Sequence, residues 1–276
     1  MRKIVQKSEF VQQHPRLFAC PVCGEALTSD QTSLVCPNQH RFDLNKKGTV
    51  NFLNAPVATE YTEPMLAARR AVLTAGFFNP FVDAIKAELT PANRVLDIGC
   101  GEGTPTARLA TSGATTVGFD ISAPAIKLAG ALDTAAFFCV ADLAHLPFLD
   151  YSFDTIVDLF SPGAYAEFGR VAHGGRLFKV VPNADYLKEL RQGLYAGTDK
   201  ANYSNTRVLD RLLATYPNAD IQPMRYEFPV TPLLFSQVVA MTPLSWQAPS
   251  DKREALLATP PTAITVDVSL IRVNNL

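Results

Sequence analysis

Arg94-Val95-Leu96-Asp97-Ile98-Gly99-Cys100-Gly101-Glu102-Gly103 decides the fold. A short apolar run ends in an aspartate and then in glycines at i, i+2 and i+4. The run is patterned as a buried parallel strand. The glycines permit a tight turn and let a ligand lie against bare backbone. Thr104-Pro105 follow as an expected N-cap with proline at the first helical position. The stretch therefore reads strand, glycine turn, helix: the opening βα unit of a nucleotide-type site.

Outward from it the chain alternates. Strands are expected at 94–98, 115–119, 136–141, 154–160 and 176–181, and helices near 104–111, 123–131, 163–171, 185–195 and 205–215. Alternation at this spacing predicts an α/β fold, a doubly wound and mostly parallel sheet. Later strands at 221–230 and 263–273 bring it to seven strands, with a helix between them capped by Thr231-Pro232 and reaching Met241. Two helices precede the sheet and are expected to cover the ligand pocket. The first runs from near Thr62 to Gly76, with Met65, Leu66, Ala68 and Val72 inside and Arg69 and Arg70 beside them; the second runs from Asn79 to about Leu89. Residues 1–19 fit an amphipathic helix or a loose extension equally well.

The glycine turn alone is weak evidence; its acidic neighbours make it specific. The motif is DxGCGxG, not GxGxxG. The second strand ends in Gly118-Phe119-Asp120, about 20 residues on, where an acid can take both ribose hydroxyls. The third ends in Ala141-Asp142-Leu143, where a carboxylate can accept from an adenine amino group. Asp97, Asp120 and Asp142 thus stand at the carboxyl ends of three successive strands, the crevice where such sheets bind ligands. The set resembles the class I S-adenosylmethionine-dependent methyltransferases. Each acid alone could be a turn cap or a solvated loop residue, but all three would have to be so together. Cys100 is expected as a small filler beside the turn, not a nucleophile. The fourth strand ends in Asp158-Leu159-Phe160-Ser161-Pro162. In this fold that end faces the transferred methyl. Phe160 can stack on a flat base there, and Asp158 is a weak candidate proton acceptor.

Before this body lie Cys20-Pro21-Val22-Cys23, twelve residues, and Cys36-Pro37-Asn38-Gln39-His40. Cys20, Cys23, Cys36 and His40 make a Cys3His set suited to one tetrahedral structural zinc ion. A redox pair would want a thioredoxin-like βαβ context, which is absent. Asp43 is the alternative to His40 as fourth ligand, and a structural role suits it better. Residues 1–55 are read as a small zinc ribbon-like domain and 56–276 as the α/β domain, with the polar stretch 41–60 as their joint.

The chain's 276 residues are 47% hydrophobic and 18% charged, which suits a soluble protein with a sizeable core. No apolar run approaches the roughly 20 residues of a membrane helix, and no signal peptide is evident, so the expected compartment is the cytoplasm. Net charge is −1. Residues 1–50 carry seven Lys/Arg and four Asp/Glu, a basic head that suits contact with phosphate. Arg16, Arg41, Lys46 and Lys47 are its cations open to a polyanion.

Taken together, the two sets resemble the 23S rRNA (guanine-N1)-methyltransferase family. Further marks are Phe42-Asp43 with Lys46, Gly48, Val50 and Asn51, Met65-x-x-Ala68-Arg69-Arg70, Ala75-Gly76, Leu146-Pro147-Phe148, Phe160-Ser161-Pro162 and Met241-Thr242-Pro243-x-x-Trp246. The resemblance implies methylation of guanine N1 in a hairpin loop of 23S rRNA, S-adenosylmethionine as methyl donor, one structural Zn²⁺ per chain, RNA held by the zinc domain, and a homodimer. It also implies an aromatic at Phe78 against the cofactor and a role for Tyr186, where Tyr and His are commoner. The expected cofactor-binding set is then Phe78, Asp97, Gly99, Cys100, Gly101, Glu102, Gly103, Asp120, Ile121, Asp142, Leu143 and Tyr186. Arg69 and Arg70 are candidate phosphate contacts, and Trp246 is either a stacking or a core residue. Two other readings are a small-molecule methyltransferase with an accessory zinc module and a non-catalytic zinc-ribbon RNA-binding protein. The basic head argues against the first, and the intact acids and glycines against the second.

Overall fold

The computed structural model describes residues 2–55, 57 and 59–276; Pro56, part of the expected joint, lies outside them. In chain order the elements are α1 (Lys3–Gln13), β1 (Thr28–Asp30), β2 (Ser33–Val35), β3 (Arg41–Asp43), β4 (Val50–Asn51), α2 (Glu63–Thr74), α3 (Asn79–Lys86), β5 (Arg94–Ile98), α4 (Thr104–Ala110), β6 (Thr115–Asp120), α5 (Ala123–Ala129), β7 (Phe137–Val140), β8 (Thr155–Leu159), α6 (Tyr165–Val171), β9 (Arg176–Pro182), α7 (Lys188–Tyr195), α8 (Thr206–Thr215), β10 (Asp220–Pro229), α9 (Pro232–Met241), α10 (Ser250–Ala258) and β11 (Ala263–Asn274). Strands β1–β3 form a small antiparallel sheet. The other eight form the main, mostly parallel sheet, one strand more than the pattern predicts. The extra strand is β4, which pairs in parallel with β7.

The chain divides into two compact units, with boundaries after Tyr61 and inside α3, β9 and β11. The first holds Met1–Tyr61, Val82–Phe178 and Val273–Leu276. Its strands run β8-β5-β6-β7-β4, all parallel. Val95, Leu96 and Ile98 of β5, Ile156 and Val157 of β8 and Phe137 of β7 are buried, as befits strands covered on both faces. Helix α5 starts on Ser122, whose hydroxyl accepts from Ala125 N–H, with Pro124 in the first turn. Helix α4 departs from expectation by one residue. Its N-cap is Gly103, in a left-handed conformation, and Thr104 is already helical.

Residues 3–13 settle as a helix, and two lysines fix it. Lys3 Nζ donates to the carbonyls of Gly130, Ala131 and Leu132 at 3.2, 2.8 and 2.6 Å. Lys7 Nζ donates to those of Thr134, Ala135 and Ala136 at 2.9, 3.0 and 2.6 Å. Burial, then repulsion from Lys3, lowers the Lys7 ammonium to about 8, partly opposed by Asp133. Two of the basic head's cations are therefore internal fasteners.

The second unit holds Thr62–Phe81 and Lys179–Arg272. Its two long strands, β10 and β11, pair antiparallel over ten residue pairs, with α9 and α10 between them in the chain. The Thr62 hydroxyl accepts from Met65 N–H to cap α2, and Thr231 caps α9 in the same way, each followed by a proline in the first turn.

Candidate functional site

Two knuckles build the metal centre. Gly24 N–H donates to Cys20 carbonyl at 2.8 Å with Gly24 at φ +76°. Gln39 N–H donates to Cys36 carbonyl at 2.9 Å with Gln39 at φ +64°. These left-handed residues turn the chain back sharply enough to gather Cys20, Cys23, Cys36 and His40, whose ligand atoms all lie within 4.8 Å of one another. Cys23 and Cys36 sulfurs are 3.7 Å apart. His40 Nδ1 stands 3.5 Å from Cys20 Sγ and 3.4 Å from Cys36 Sγ. Bond lengths of about 2.3 Å to sulfur and 2.0–2.1 Å to nitrogen at tetrahedral angles require edges of about 3.8 and 3.6 Å. The set fits zinc. Four protein ligands close the shell, which makes the ion structural. The side chain of Asn38, then the backbone near Glu25, draws the Cys23 thiol down to about 6, and the thiolate is the form a metal binds. Asp43 accepts from Ser33 Oγ at 2.8 Å and is not in the cluster.

The module's entry strand is tied to the body. Ala19 N–H donates to Pro147 carbonyl at 3.0 Å, and Leu149 N–H to Leu17 carbonyl at 3.1 Å. Leu146-Pro147-Phe148 therefore joins the zinc module to the loop that follows Asp142.

The second centre is an open cleft of about 240 Å³ at the carboxyl ends of β5, β6, β7 and β8. Gly99, Asp120, Ile121, Asp142 and Leu143 of the expected set line it, joined by Tyr61, Ile98, Phe119, Ala141, Ser161 and Pro162. All three glycines of the turn have positive φ. At Gly99 a Cβ would strike the hydroxyl of Ser161, which donates to Ile98 carbonyl at 3.1 Å. At Gly103 it would meet Ala129 Cβ at 2.8 Å and the Phe138 ring at 3.0 Å. Asp120 is aimed by the backbone: Gly101 N–H donates to Oδ2 at 2.9 Å and Ser122 N–H to Oδ1 at 2.8 Å. Asp142 accepts from Ala144 N–H through Oδ1 at 2.9 Å, and its Oδ2 has no partner among the described residues.

Five residues of the expected set do not line this cleft but build the turn beneath it. Asp97 is buried and accepts from Thr106 Oγ1 at 2.5 Å, pinning α4 to β5. Glu102 is buried and takes both the N–H and the hydroxyl of Thr104, at 3.1 and 2.8 Å, doing for the first turn what a Thr104 cap would have done. Cys100 is buried, and burial, reinforced by the charges of Asp97 and Asp120, holds its thiol far above the ordinary range, so it is no nucleophile. Gly101 and Gly103 shape the backbone. Asp158 is likewise buried and accepts from Ser161 N–H at 2.9 Å; it closes the turn at Phe160, which sits at φ +66°. A non-glycine residue held in that region marks a site where the surroundings override local preference.

Phe78 and Tyr186 belong to the second unit. Phe78 is buried, with the Arg69 guanidinium 5.5 Å above its ring centroid. Tyr186 is half-buried, and burial raises its hydroxyl above the ordinary phenol value. Trp246 is half-buried beside the short 3₁₀ turn Pro243–Ser245. Tyr61 and Ser161 were not among the expected cofactor residues. Tyr61 stands far from the glycine turn in the chain, whereas Phe160-Ser161-Pro162 was already legible as the end of a sheet strand.

A methyltransferase-domain model matches residues 95–172, and the model described as RlmA, N-terminal, a zinc ribbon, matches residues 18–59. YxjB of Bacillus subtilis, a proposed 23S rRNA (guanine-N1)-methyltransferase, is 38% identical over 92% of this chain and 96% of its own. The 23S rRNA (guanine(748)-N1)-methyltransferase of Streptomyces fradiae is 30% identical over 92% of this chain and 95% of its own. A protein assigned as a methyltransferase of an antibiotic biosynthesis pathway in Anabaena variabilis shares the fold, with a TM-score of 0.55 and 16% identity over 71% of this chain and 96% of that one.

Proposed function

The chain belongs to the 23S rRNA (guanine-N1)-methyltransferase family, and from that premise we propose that it transfers a methyl group from S-adenosylmethionine to N1 of a guanine in a hairpin loop of 23S rRNA. One observation carries this reading: a zinc-fitting Cys3His cluster and an acid-lined glycine cleft stand in one compact unit, joined through Leu146-Pro147-Phe148. A small substrate has no need of the first, and an RNA-binding module has no need of the second. The zinc module, within residues 1–55, is read as the RNA grip and the α/β body as the transfer machinery. The guanine equivalent to the one numbered 748 in the Streptomyces fradiae relative's name is the first to examine.

The cleft residues divide the binding work. Asp120, oriented through two backbone N–H groups and lining the cleft, is the acceptor for a pair of ribose hydroxyls. Asp142 keeps Oδ2 for an exocyclic amino group. Ile121, Leu143 and Phe119 supply apolar walls for a purine. Gly99 admits the ligand to bare backbone. Ser161, locked between Asp158 and Ile98, holds the end of β8 against that glycine and so fixes the wall beside which the target base must lie. When bound, S-adenosylmethionine supplies the methyl on a sulfonium sulfur that departs as a neutral thioether. Transfer to N1 would displace that neutral thioether and leave the N1 proton to be taken up by water. A loop guanine can be splayed into such a cleft at little cost.

With this reading go a cytoplasmic location and a homodimer. No described helix is long and apolar enough to cross a membrane. Light scattering of the purified chain tests the dimer. The function is tested by incubating the enzyme with labelled S-adenosylmethionine and protein-free 23S rRNA fragments, then mapping the product by mass. Label at N1 of one loop guanine is expected; no label on any guanine overturns the reading.

A further inference from the structure

The Met241-Thr242-Pro243-x-x-Trp246 run has no role in either centre described above. In the second unit it forms one wall of an open cleft of about 330 Å³, lined by Arg191, Tyr195, Lys200, Asn202, Pro243, Leu244 and Gln247. That volume falls at the low end of the range of small-ligand sites, roughly 300–1,000 Å³, and matches one nucleotide better than a drug-sized molecule. We propose that this cleft is a second RNA subsite, binding the phosphate of one single-stranded nucleotide with Arg191 and Lys200 and its base against Pro243 and Leu244; the proposal rests on the rRNA reading above.

The charge balance singles this cleft out. Its lining has two cations and no acid. Neither cation has a carboxylate within ion-pair distance among the described residues. The cleft beside the zinc knuckle is larger, about 650 Å³, yet its lining sets two acids against its two arginines: Glu167 at 2.7 Å and Asp150 at 2.9 Å hold Arg170, and Arg16 is the cation left over. A cation so neutralised adds little for a phosphate, whereas an unpaired pair of cations is an anion site in waiting.

The cations are also positioned. Arg191 donates through Nε to Tyr186 carbonyl at 3.3 Å, and its Cζ lies 4.7 Å from the Tyr203 ring centroid. This fixes the guanidinium plane while its terminal nitrogens keep no hydrogen-bond partner among the described residues. Lys200 Nζ lies 5.6 Å from the Tyr195 ring centroid. Tyr195 in turn donates its hydroxyl to Leu244 carbonyl at 2.7 Å, which ties α7 to the Pro243–Ser245 turn. Ser245 anchors that turn from below, donating to Thr242 carbonyl at 2.9 Å. Asn202 and Gln247 add amide donors and acceptors for a base edge. A fixed guanidinium, a lysine, two amides and an apolar wall are the parts with which proteins hold an unstacked nucleotide.

The test measures binding of a 23S rRNA hairpin transcript across a salt series. The proteins are the wild type, Lys200→Gln, Arg191→Gln and the double variant, with the S-adenosylmethionine affinities of Lys200→Gln and of the double variant as the fold control. Each single variant should weaken RNA binding by about tenfold, the loss expected for one charge-assisted contact. Each should also flatten the slope of log affinity against log salt by about 0.7, the increment for one single-strand phosphate contact. Lys200→Arg should restore the slope. An unchanged affinity and slope in a double variant that still binds S-adenosylmethionine overturns the subsite alone. A wild type that neither binds nor methylates the transcript overturns the rRNA reading and the subsite with it.

Discussion

The zinc centre and the proposed cofactor cleft share one compact unit and are built on opposite plans. All four zinc ligands come from residues 20–40, and each pair is turned inward by its own local knuckle. Within residues 20–44 the buried apolar side chains, apart from the ligands Cys20 and Cys36, are Leu27, Leu34 and Leu44. So small a core leaves the ion to supply much of the local stability. The cleft instead draws residues from the ends of four parallel strands between Ile98 and Pro162, with Tyr61 added. Its carboxylates are aimed by backbone N–H groups in the turns that follow β5, β6 and β7, so its geometry stands without any ligand. A site local in sequence borrows its rigidity from a metal; a site scattered in sequence takes it from the fold.

Substitutions should separate the two plans. The largest effect is expected from Asp120→Ala, which removes the acceptor proposed for two ribose hydroxyls. At roughly 1.5–3 kcal/mol for a hydrogen bond to a charged group, S-adenosylmethionine affinity should fall at least about tenfold in calorimetry. Zinc content by mass spectrometry should stay at one ion per chain. An unchanged cofactor affinity would remove Asp120 from the site.

Gly103→Ala should cost stability more than chemistry. The residue sits at φ +89°, and its Cβ would press on Ala129 and Phe138. A loss of about 1–3 kcal/mol in denaturant unfolding is expected. Wild-type stability would show that the turn relaxes freely and is not preorganised.

The smallest effect concerns the helix that precedes the module. Lys7 holds its proton less tightly folded, with a value near 8, than at its ordinary value of 10.5. Between those values the unfolded chain binds more protons, so this group makes stability rise with pH across that window and adds no slope below it. Lys7→Met should abolish that increment and weaken the α1 clasp. Parallel pH profiles for the two proteins would mean that Lys7 keeps its ordinary affinity for the proton.

Much of this was legible in the chain because the periodicities are strong. The strand expected at 94–98 is β5 to the residue, and the Cys3His spacing converges as its chemistry requires. What escaped is short or long-range. Strand β4 has only two residues, too few for any periodicity, and it exists because β7 offers it an edge. Helix α10 lacks buried residues and so carries no apolar stripe to read. The cap of α4 moved by one residue because Glu102, three-dimensionally beneath the turn, satisfies Thr104 from its own side chain. Charge counting over the basic head missed that Lys3 and Lys7 are turned inward onto carbonyls and that Arg41 pairs with Asp30 at 2.9 Å. Asp97 and Asp158 read as site acids by position, yet both are buried and act on the turns that shape the cleft.

The division of labour between the two centres is tested most directly with Cys23→Ser. That variant removes one thiolate from the tetrahedron and leaves the sheet untouched. Titrated in parallel, it should bind S-adenosylmethionine within about threefold of the wild type, because charge-assisted contacts worth roughly 1.5–3 kcal/mol each remain in the cleft, while it loses zinc and measurable affinity for the 23S rRNA transcript. Loss of cofactor binding in a variant whose circular dichroism is otherwise native would contradict the separation of the two plans.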